Sequence, residues 1–227
     1  MILNVYKPKN WTSFDVVAKI RGVLKVKKAG HAGTLDPLAE GVLIVLTGED
    51  TKRQAEFMKL EKEYIAKIAF GAGSPTYDLE VAPTLVAKMP PAEVYKKLQE
   101  ILSDFVGEID QVVPSYSAKK IEGKEMYKMV RKGAEVPVVK KRVAINSIEI
   151  VENGICTIWT NAGLMELPCS TMKVQCSSGT YVRSLAYEMG RKIGTGGVLV
   201  SLLRSAVGEY RVENSVKIED LFSQLSL

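Results

Sequence analysis

The first apolar run, residues 2–6, reads as a short strand. Thr12 or Ser13 can cap a helix running to about Leu24, because Val16, Val17, Ile20 and Leu24 recur at helical spacing. The pattern then breaks. Residues 25–37 (KVKKAGHAGTLDP) hold two glycines, a proline and no sustained period, which predicts a loop that delivers polar groups to one place. Residues 38–46 read as a buried strand or a tight turn plus strand, and Thr47-Gly48-Glu49-Asp50 resembles a capping box opening a helix from Glu49 to about Leu60. Residues 63–70 alternate, with Tyr64, Ala66, Ile68 and Phe70 on one face of a strand, and residues 71–75 turn the chain.

Pro90-Pro91 opens a helix whose Val94, Leu98, Ile101, Leu102 and Phe105 form a core-facing stripe. Residues 110–137 are basic and turn-rich, with one short helix expected around residues 125–131. Strands return at 142–151, 155–160 and 173–176. Thr180 can cap a helix carrying Val182, Leu185, Met189 and Ile193 on one face, and Gly194, Gly196 and Gly197 separate it from a second helical stretch at 198–203. A last strand at 208–212 and a short helix at 218–225 follow. With no repeat and no long linker, this order predicts one mixed domain.

Composition narrows the class. A chain of 227 residues, 46% hydrophobic and 25% charged, can bury a core without disulfides or metals. Cys156, Cys169 and Cys176 lack CxxC spacing and His31 is the only histidine, so no disulfide framework and no Cys/His zinc site is expected, and a reduced cytosol is the expected compartment. The longest apolar run, 42–46, is far short of the ~18 residues of a membrane span, and neither a signal peptide nor a transmembrane helix is read. The net charge of +5 is uneven: residues 116–142 hold nine Lys/Arg against three Glu. Such an excess suits a phosphate backbone or a solvated face equally on density alone.

The most unusual segment is Gly30-His31-Ala32-Gly33-Thr34-Leu35-Asp36-Pro37. Its glycines permit close approach of the backbone to a ligand, and Asp36 before proline is biased to an extended conformation that projects its carboxylate. A plain Asx turn is the competing explanation. Neither GxxxxGK[ST] nor GxGxxG is present, so nucleotide-triphosphate and dinucleotide binding lack support.

These residues resemble the TruB family of tRNA pseudouridine-55 synthases, bacterial type. The resemblance is carried by Leu3-Asn4-Val5-Tyr6-Lys7-Pro8 with Trp11-Thr12-Ser13, by His31 through Ala39 (HAGTLDPLA) with Gly41-Val42-Leu43, and by Lys62-Glu63-Tyr64. It continues through Thr76-Tyr77-Asp78, QVVPSYSA at 111–118, Tyr181-Val182-Arg183-Ser184-Leu185, Leu202-Leu203-Arg204-Ser205 and Gly208-Glu209-Tyr210, over nearly the whole chain. It implies an α+β pseudouridine synthase fold: a mixed, mainly antiparallel central sheet flanked by helices, with an RNA-binding cleft. Residues 1–227 would form one catalytic domain with a basic RNA-gripping insertion at about 110–142.

The implied activity is that of an isomerase that flips the T-loop uridine at position 55 of tRNA and rejoins its uracil through C5, without cofactor or metal. Asp36 matches the catalytic aspartate, and whether it attacks C1′, adds at C6 or removes the C2′ proton stays open. Arg183 matches the basic residue that pairs with Asp36, and Tyr64 the tyrosine that packs on the target base. His31 and Leu202 would border the flipped nucleotide, and Asp78 and Lys62 would help position it. Lys119, Lys120 and Lys124 belong to the insertion expected to grip the tRNA T stem-loop. A cytoplasmic monomer with no membrane and no obligate protein partner is the expected form.

The sequence also departs from the family pattern. Val113 stands where the first of two prolines is common, Glu40 replaces a small residue or Thr, and Val198 takes a position often held by His or Tyr. Only 17 residues follow Tyr210, so no C-terminal PUA-like RNA-binding barrel is expected. Two alternatives share the scaffold: a non-catalytic RNA-binding or tRNA-folding protein, against which retention of Asp36, Tyr64 and Arg183 speaks, and a guide-dependent synthase.

Overall fold

The computed structural model describes residues 1–117, 119–121 and 123–220. In chain order the elements are β1 (Ile2–Lys7), α1 (Ser13–Val23), β2 (Ala29–Ala32), β3 (Glu40–Thr47), α2 (Gln54–Lys59), β4 (Lys62–Phe70), β5 (Ala72–Gly73), β6 (Thr84–Leu85) and α3 (Pro91–Ile101). There follow β7 (Gly107–Val112), β8 (Lys120–Ile121), β9 (Lys124–Glu125), α4 (Met126–Arg131), β10 (Lys140–Thr160), β11 (Gly163–Cys176), α5 (Val182–Ile193), β12 (Gly197–Val207) and β13 (Tyr210–Arg211). Among the described residues, nine strands form a mixed sheet ordered β1-β3-β12-β4-β11-β10-β7, with β2 also on β3 and β13 also on β12. This is the α+β class expected. The pairs β1–β3, β2–β3, β7–β10 and β12–β13 are antiparallel, and β12–β3 is parallel.

The chain divides into two compact units, one of Met1–Ile65, Gln175–Gly179 and Ser201–Leu227, the other of Ala66–Val174 and Thr180–Val200. In the first, β3 is apolar from Val42 to Leu46 because both its faces are covered there. Leu43 and Val45 pack with Val5, Val16, Val17 and Ile20, while Val42, Ile44 and Leu46 pack with Ala32, Phe57 and Val207. Helix α1 starts at a capping box in which the Thr12 hydroxyl accepts from the Asp15 N–H and Asp15 accepts from the Thr12 N–H. In the second unit Ala69, Ala72, Cys156, Ile158, Leu167, Cys169 and Val198 form the core, and α3 buries Val94 and Leu98.

Several expectations are corrected. Within the stretch expected as loop, Ala29–Ala32 is a strand, paired from Ala29 opposite Thr47 to Ala32 opposite Ile44; pairing to β3, not local period, makes it one. Thr47 makes no side-chain capping bond: residues 48–53 wind as a 3-10 turn before α2, and the Thr47 hydroxyl faces the Met1 carbonyl. The cap position of α5 is Tyr181, not Thr180, and its side chain makes no capping bond. The stretch at 198–203 is strand, not helix. A Cβ at Gly190 would lie 2.0 Å from the Gly197 nitrogen and one at Gly197 2.1 Å from the Ala186 carbonyl oxygen, so the glycines bring β12 directly against α5.

Strand β7 had no sequence signal, β10 runs unbroken through Gly154, and β11 begins ten residues before position 173. Of 208–212 only Tyr210–Arg211 is strand. The helix expected at 218–225 is helical at 218–220, and its remainder lies outside the described residues. Val113 uses its departure from proline: its N–H donates to the Val139 carbonyl at 2.8 Å, a bond proline has no hydrogen to make.

Candidate active site

Asp36 lies half-buried in the connection between β2 and β3. Its main-chain carbonyl accepts the Ala39 N–H at 3.0 Å, closing a tight turn with Pro37 at the first central position, where its fixed φ suits the geometry. Three buried polar groups hold this loop. The Ser13 hydroxyl accepts the Leu35 N–H at 2.9 Å and donates to the Leu35 carbonyl at 3.2 Å. The Lys7 ammonium, 0% exposed, donates to the carbonyls of Trp11 (2.6 Å), Pro8 (2.9 Å) and Pro37 (3.4 Å). The Arg204 guanidinium, on β12, donates to the carbonyls of Val42 (2.7 Å), Gly33 (3.0 Å) and Thr34 (3.4 Å).

Burial pushes the Lys7 ammonium down to about 8, while the negative charges of Asp36 and Glu40 oppose that shift. Glu40, the residue that departs from the family pattern, thus has two tasks: it supplies a counter-charge to Lys7 and accepts a hydrogen bond from the Tyr6 hydroxyl at 3.1 Å. Tyr64 is buried on β4, which raises its phenol above the ordinary range; the nearby Arg204 charge and hydrogen bond act the other way. The phenol therefore keeps its proton near neutral pH and suits hydrogen-bond donation better than base catalysis. His31, on β2, is buried, with its ring edge-on to Phe14 at 5.2 Å and its Nδ1 without a hydrogen-bond partner. Burial first, and then the Arg204 charge, lower its pKa, so the imidazole is neutral at physiological pH. Leu202 is half-buried on β12, and the buried Lys62 ammonium donates to the carbonyls of Met58, at 2.6 Å, and Leu60 at the end of α2.

In the second unit Arg183 sits in the first turn of α5, a position where the helix dipole disfavours a cation. Specific contacts offset this. Its guanidinium donates to the carbonyls of Thr76 (2.9 Å) and Tyr116 (3.2 Å), and its Nε lies 3.7 Å from the Asp78 carboxylate. Arg183 and Asp78 are both buried, and Asp78 also accepts the Glu80 N–H at 3.0 Å. Between Thr76 and Asp78 in sequence, Tyr77 adopts a left-handed φ of 63° and stacks on Tyr187 of α5, with ring centroids 4.3 Å apart. Gln111 anchors the start of α5: its side-chain amide donates to the Tyr181 carbonyl at 3.0 Å and accepts the Tyr181 N–H at 2.7 Å. Lys119 and Lys124 are exposed, the latter on β9 of the small β8–β9 hairpin that also carries Lys120.

The structure thus places Tyr64 within electrostatic reach of Asp36 in one unit and Arg183 beside Asp78 in the other. Lys7, Ser13, Gln111 and Arg204 stand inside the sequence motifs, yet sequence reasoning assigned them no task. Their signal is faint, because their burial shows only when segments distant in sequence meet. Among the described residues no group of three or more His, Cys, Asp or Glu is placed to hold a metal ion, and no helix is long and apolar enough to cross a membrane.

Residues 21–182 match the TruB family pseudouridylate synthase, N-terminal domain. The chain belongs to this family. It is 42% identical to the tRNA pseudouridine synthase B of Parabacteroides distasonis, over 97% of this chain and 91% of that protein. To the same-named protein of Clostridium tetani it is 40% identical, over 97% of this chain and 72% of the relative. Among solved structures it superposes on an archaeal box H/ACA sRNP complex with a TM-score of 0.67 at 24% identity, covering 99% of this chain and 53% of that one. An H/ACA RNP bound to a substrate RNA containing 2′-deoxyuridine gives 0.67 at 25% identity, over 98% and 52%.

Proposed function

We propose that this chain is a tRNA pseudouridine synthase that isomerises the T-loop uridine at position 55. The observation that carries the proposal is the Asp36 loop, fixed by Ser13, Lys7 and Arg204 beside the protonated Tyr64 phenol. The reaction is an isomerisation: the C1′–N1 bond breaks, C1′ bonds to C5, the C5 proton leaves and N1 gains a proton. It needs a carboxylate that can engage sugar or base and depart again, and Asp36 is assigned that task. Removing a uracil from its stack costs a few kcal/mol, which a pocket of Tyr64 and Leu202 would return through packing on the flat base.

Arg183, the residue expected to pair with Asp36, is assigned the positive charge of the site, with Asp78 positioning it. His31 is assigned to the RNA next to the flipped nucleotide; its neutral state favours stacking over a phosphate contact. The basic segment is assigned the backbone of the T stem-loop. We take the protein to act as a monomer on free tRNA, without guide RNA or partner protein.

The experiment incubates purified protein with unmodified tRNA transcript, without cofactor, and maps pseudouridine by carbodiimide-induced reverse-transcription stops. A stop at the T-loop uridine is expected, and Asp36→Asn is expected to abolish it while retaining most RNA binding. Turnover by Asp36→Asn close to the native rate would overturn the assignment.

A further inference from the structure

Arg204 is among the largest side chains that the fold buries completely, at 1% exposure. Removing a cation from water costs several kcal/mol, and a second buried cation, Lys7, is close enough for the two charges to oppose each other. Stability alone is a poor reason to place both there. Their acceptors suggest another. The Nε of Arg204 reaches the Val42 carbonyl, and its two terminal nitrogens reach those of Gly33 and Thr34. Gly33 and Thr34 precede Asp36 by three and two residues, whereas Val42 follows it by six. One planar group therefore ties both arms of the loop together.

The fork can reach both arms because β12 and β3 approach unusually closely. Arg204 lies opposite Gly41 in the parallel register, and a Cβ at Gly41 would stand 2.3 Å from the Arg204 carbonyl oxygen. Gly41 also has φ of 106°, a region where side chains are strained. The guanidinium holds its donors in a rigid plane, a geometry that a lysine ammonium cannot reproduce.

We propose that Arg204 is a positioning residue for the reaction, its guanidinium locking the two arms of the Asp36 loop and holding the Tyr64 phenol in line with it. This rests on the assignment of Asp36 and Tyr64 above. The electrostatics agree: the Arg204 charge lowers the pKa of both Tyr64 and His31, which places it within reach of both.

The test compares Arg204→Lys, Arg204→Met, Tyr64→Phe and the Arg204→Lys/Tyr64→Phe double variant with the native protein. The readouts are melting temperature, tRNA affinity, single-turnover rate and amide hydrogen exchange. For Arg204→Lys the expected result is a folded protein whose rate falls roughly a hundredfold, as a misplacement near 1 Å can cause, with tRNA affinity changed less than about threefold. Amides of residues 33–42 should exchange faster, and the loss in the double variant should be smaller than the product of the single losses.

A rate near the native value, parallel losses of rate and binding, or independent effects of Arg204 and Tyr64 would overturn the proposal. If no native turnover were seen, the functional assignment would fail, and the exchange of residues 33–42 in the folded variants would still decide whether the clamp exists. If neither Arg204 variant folded, the Arg204 Nε–H resonance would decide. It must be protected from exchange in the native protein and shifted in Tyr64→Phe, and an unshifted signal would overturn the proposal.

Discussion

Replacing Ser13 by alanine tests how the Asp36 loop is held. Ser13 opens α1 at 2% exposure, and its single hydroxyl serves both the N–H and the carbonyl of Leu35, the residue before Asp36. In Ser13→Ala the buried Leu35 N–H loses its acceptor, at a cost of about 1–3 kcal/mol, and the carbonyl loses a bond worth about 0.5–1.5 kcal/mol. Alanine recovers at most about 0.5 kcal/mol through helix propensity. The balance, about 2–3 kcal/mol, corresponds to a melting temperature lower by about 5–10 °C for a chain of this length.

Thr12→Ala is the control. It removes the cap of the same helix, at about 1 kcal/mol, without touching the loop. Calorimetry should rank Ser13→Ala well below Thr12→Ala, and turnover at saturating tRNA should fall only in Ser13→Ala. A Ser13→Ala protein melting within about 1 °C of native, or equal turnover in the two variants, would refute this account of the loop.

Three further outcomes are expected. Gly190→Ala should destabilise by roughly 3 kcal/mol or more, seen as a lost or sharply lowered melting transition, because its Cβ would overlap the backbone of Gly196 and Gly197; a near-native transition would contradict the close packing of α5 on β12. His31, the only histidine, should titrate below its ordinary 6.5 in an imidazole NMR experiment. Since the unfolded chain takes up that proton first, the native state should lose stability as pH falls from 6.5 through the folded value. A midpoint at or above 6.5 would contradict the burial of the ring. Replacing Lys119, Lys120 and Lys124 by alanine should weaken tRNA binding and flatten its salt dependence by roughly 0.7–0.9 in slope for each phosphate no longer neutralised, and an unchanged slope would remove the basic segment from the RNA interface.

The elements that were legible in the sequence are those whose signal is local. Helix α1 shows its cap and apolar stripe, β4 its alternation and α3 its opening prolines; α1 and β4 stand within a residue or two of expectation, and α3 starts where expected but passes into a 3-10 turn at residues 102–105. The start of strand β12 escapes a local reading because residues 197–199 are buried on both faces and carry no alternation, so Val198-Leu199-Val200 fits a helix equally well. Strand β2 was missed because its partner, not its own residues, makes it extended.

The site divides in the same way. Asp36 stands out beside glycines and a proline, whereas Arg183, on a helix, is marked only by the family resemblance, and Arg204, just past a stretch expected as helix, carries no local signal. Their burial depends on carbonyls of Thr76 and Tyr116 in one case and of Gly33, Thr34 and Val42 in the other, and no local pattern encodes such distant partners.

The bond from Arg204 to Gly33 spans 171 residues of chain. On a ribosome adding about 5–20 residues per second, Asp36 emerges roughly 10–30 s before the guanidinium that ties its loop. Helix α1 and the Ser13 hydroxyl are made early, so the first restraint on the loop forms during synthesis and the last only near its close. The nascent protein thus carries the Asp36 carboxylate on a half-fastened loop for most of its translation, and full restraint of that loop becomes a late checkpoint of folding.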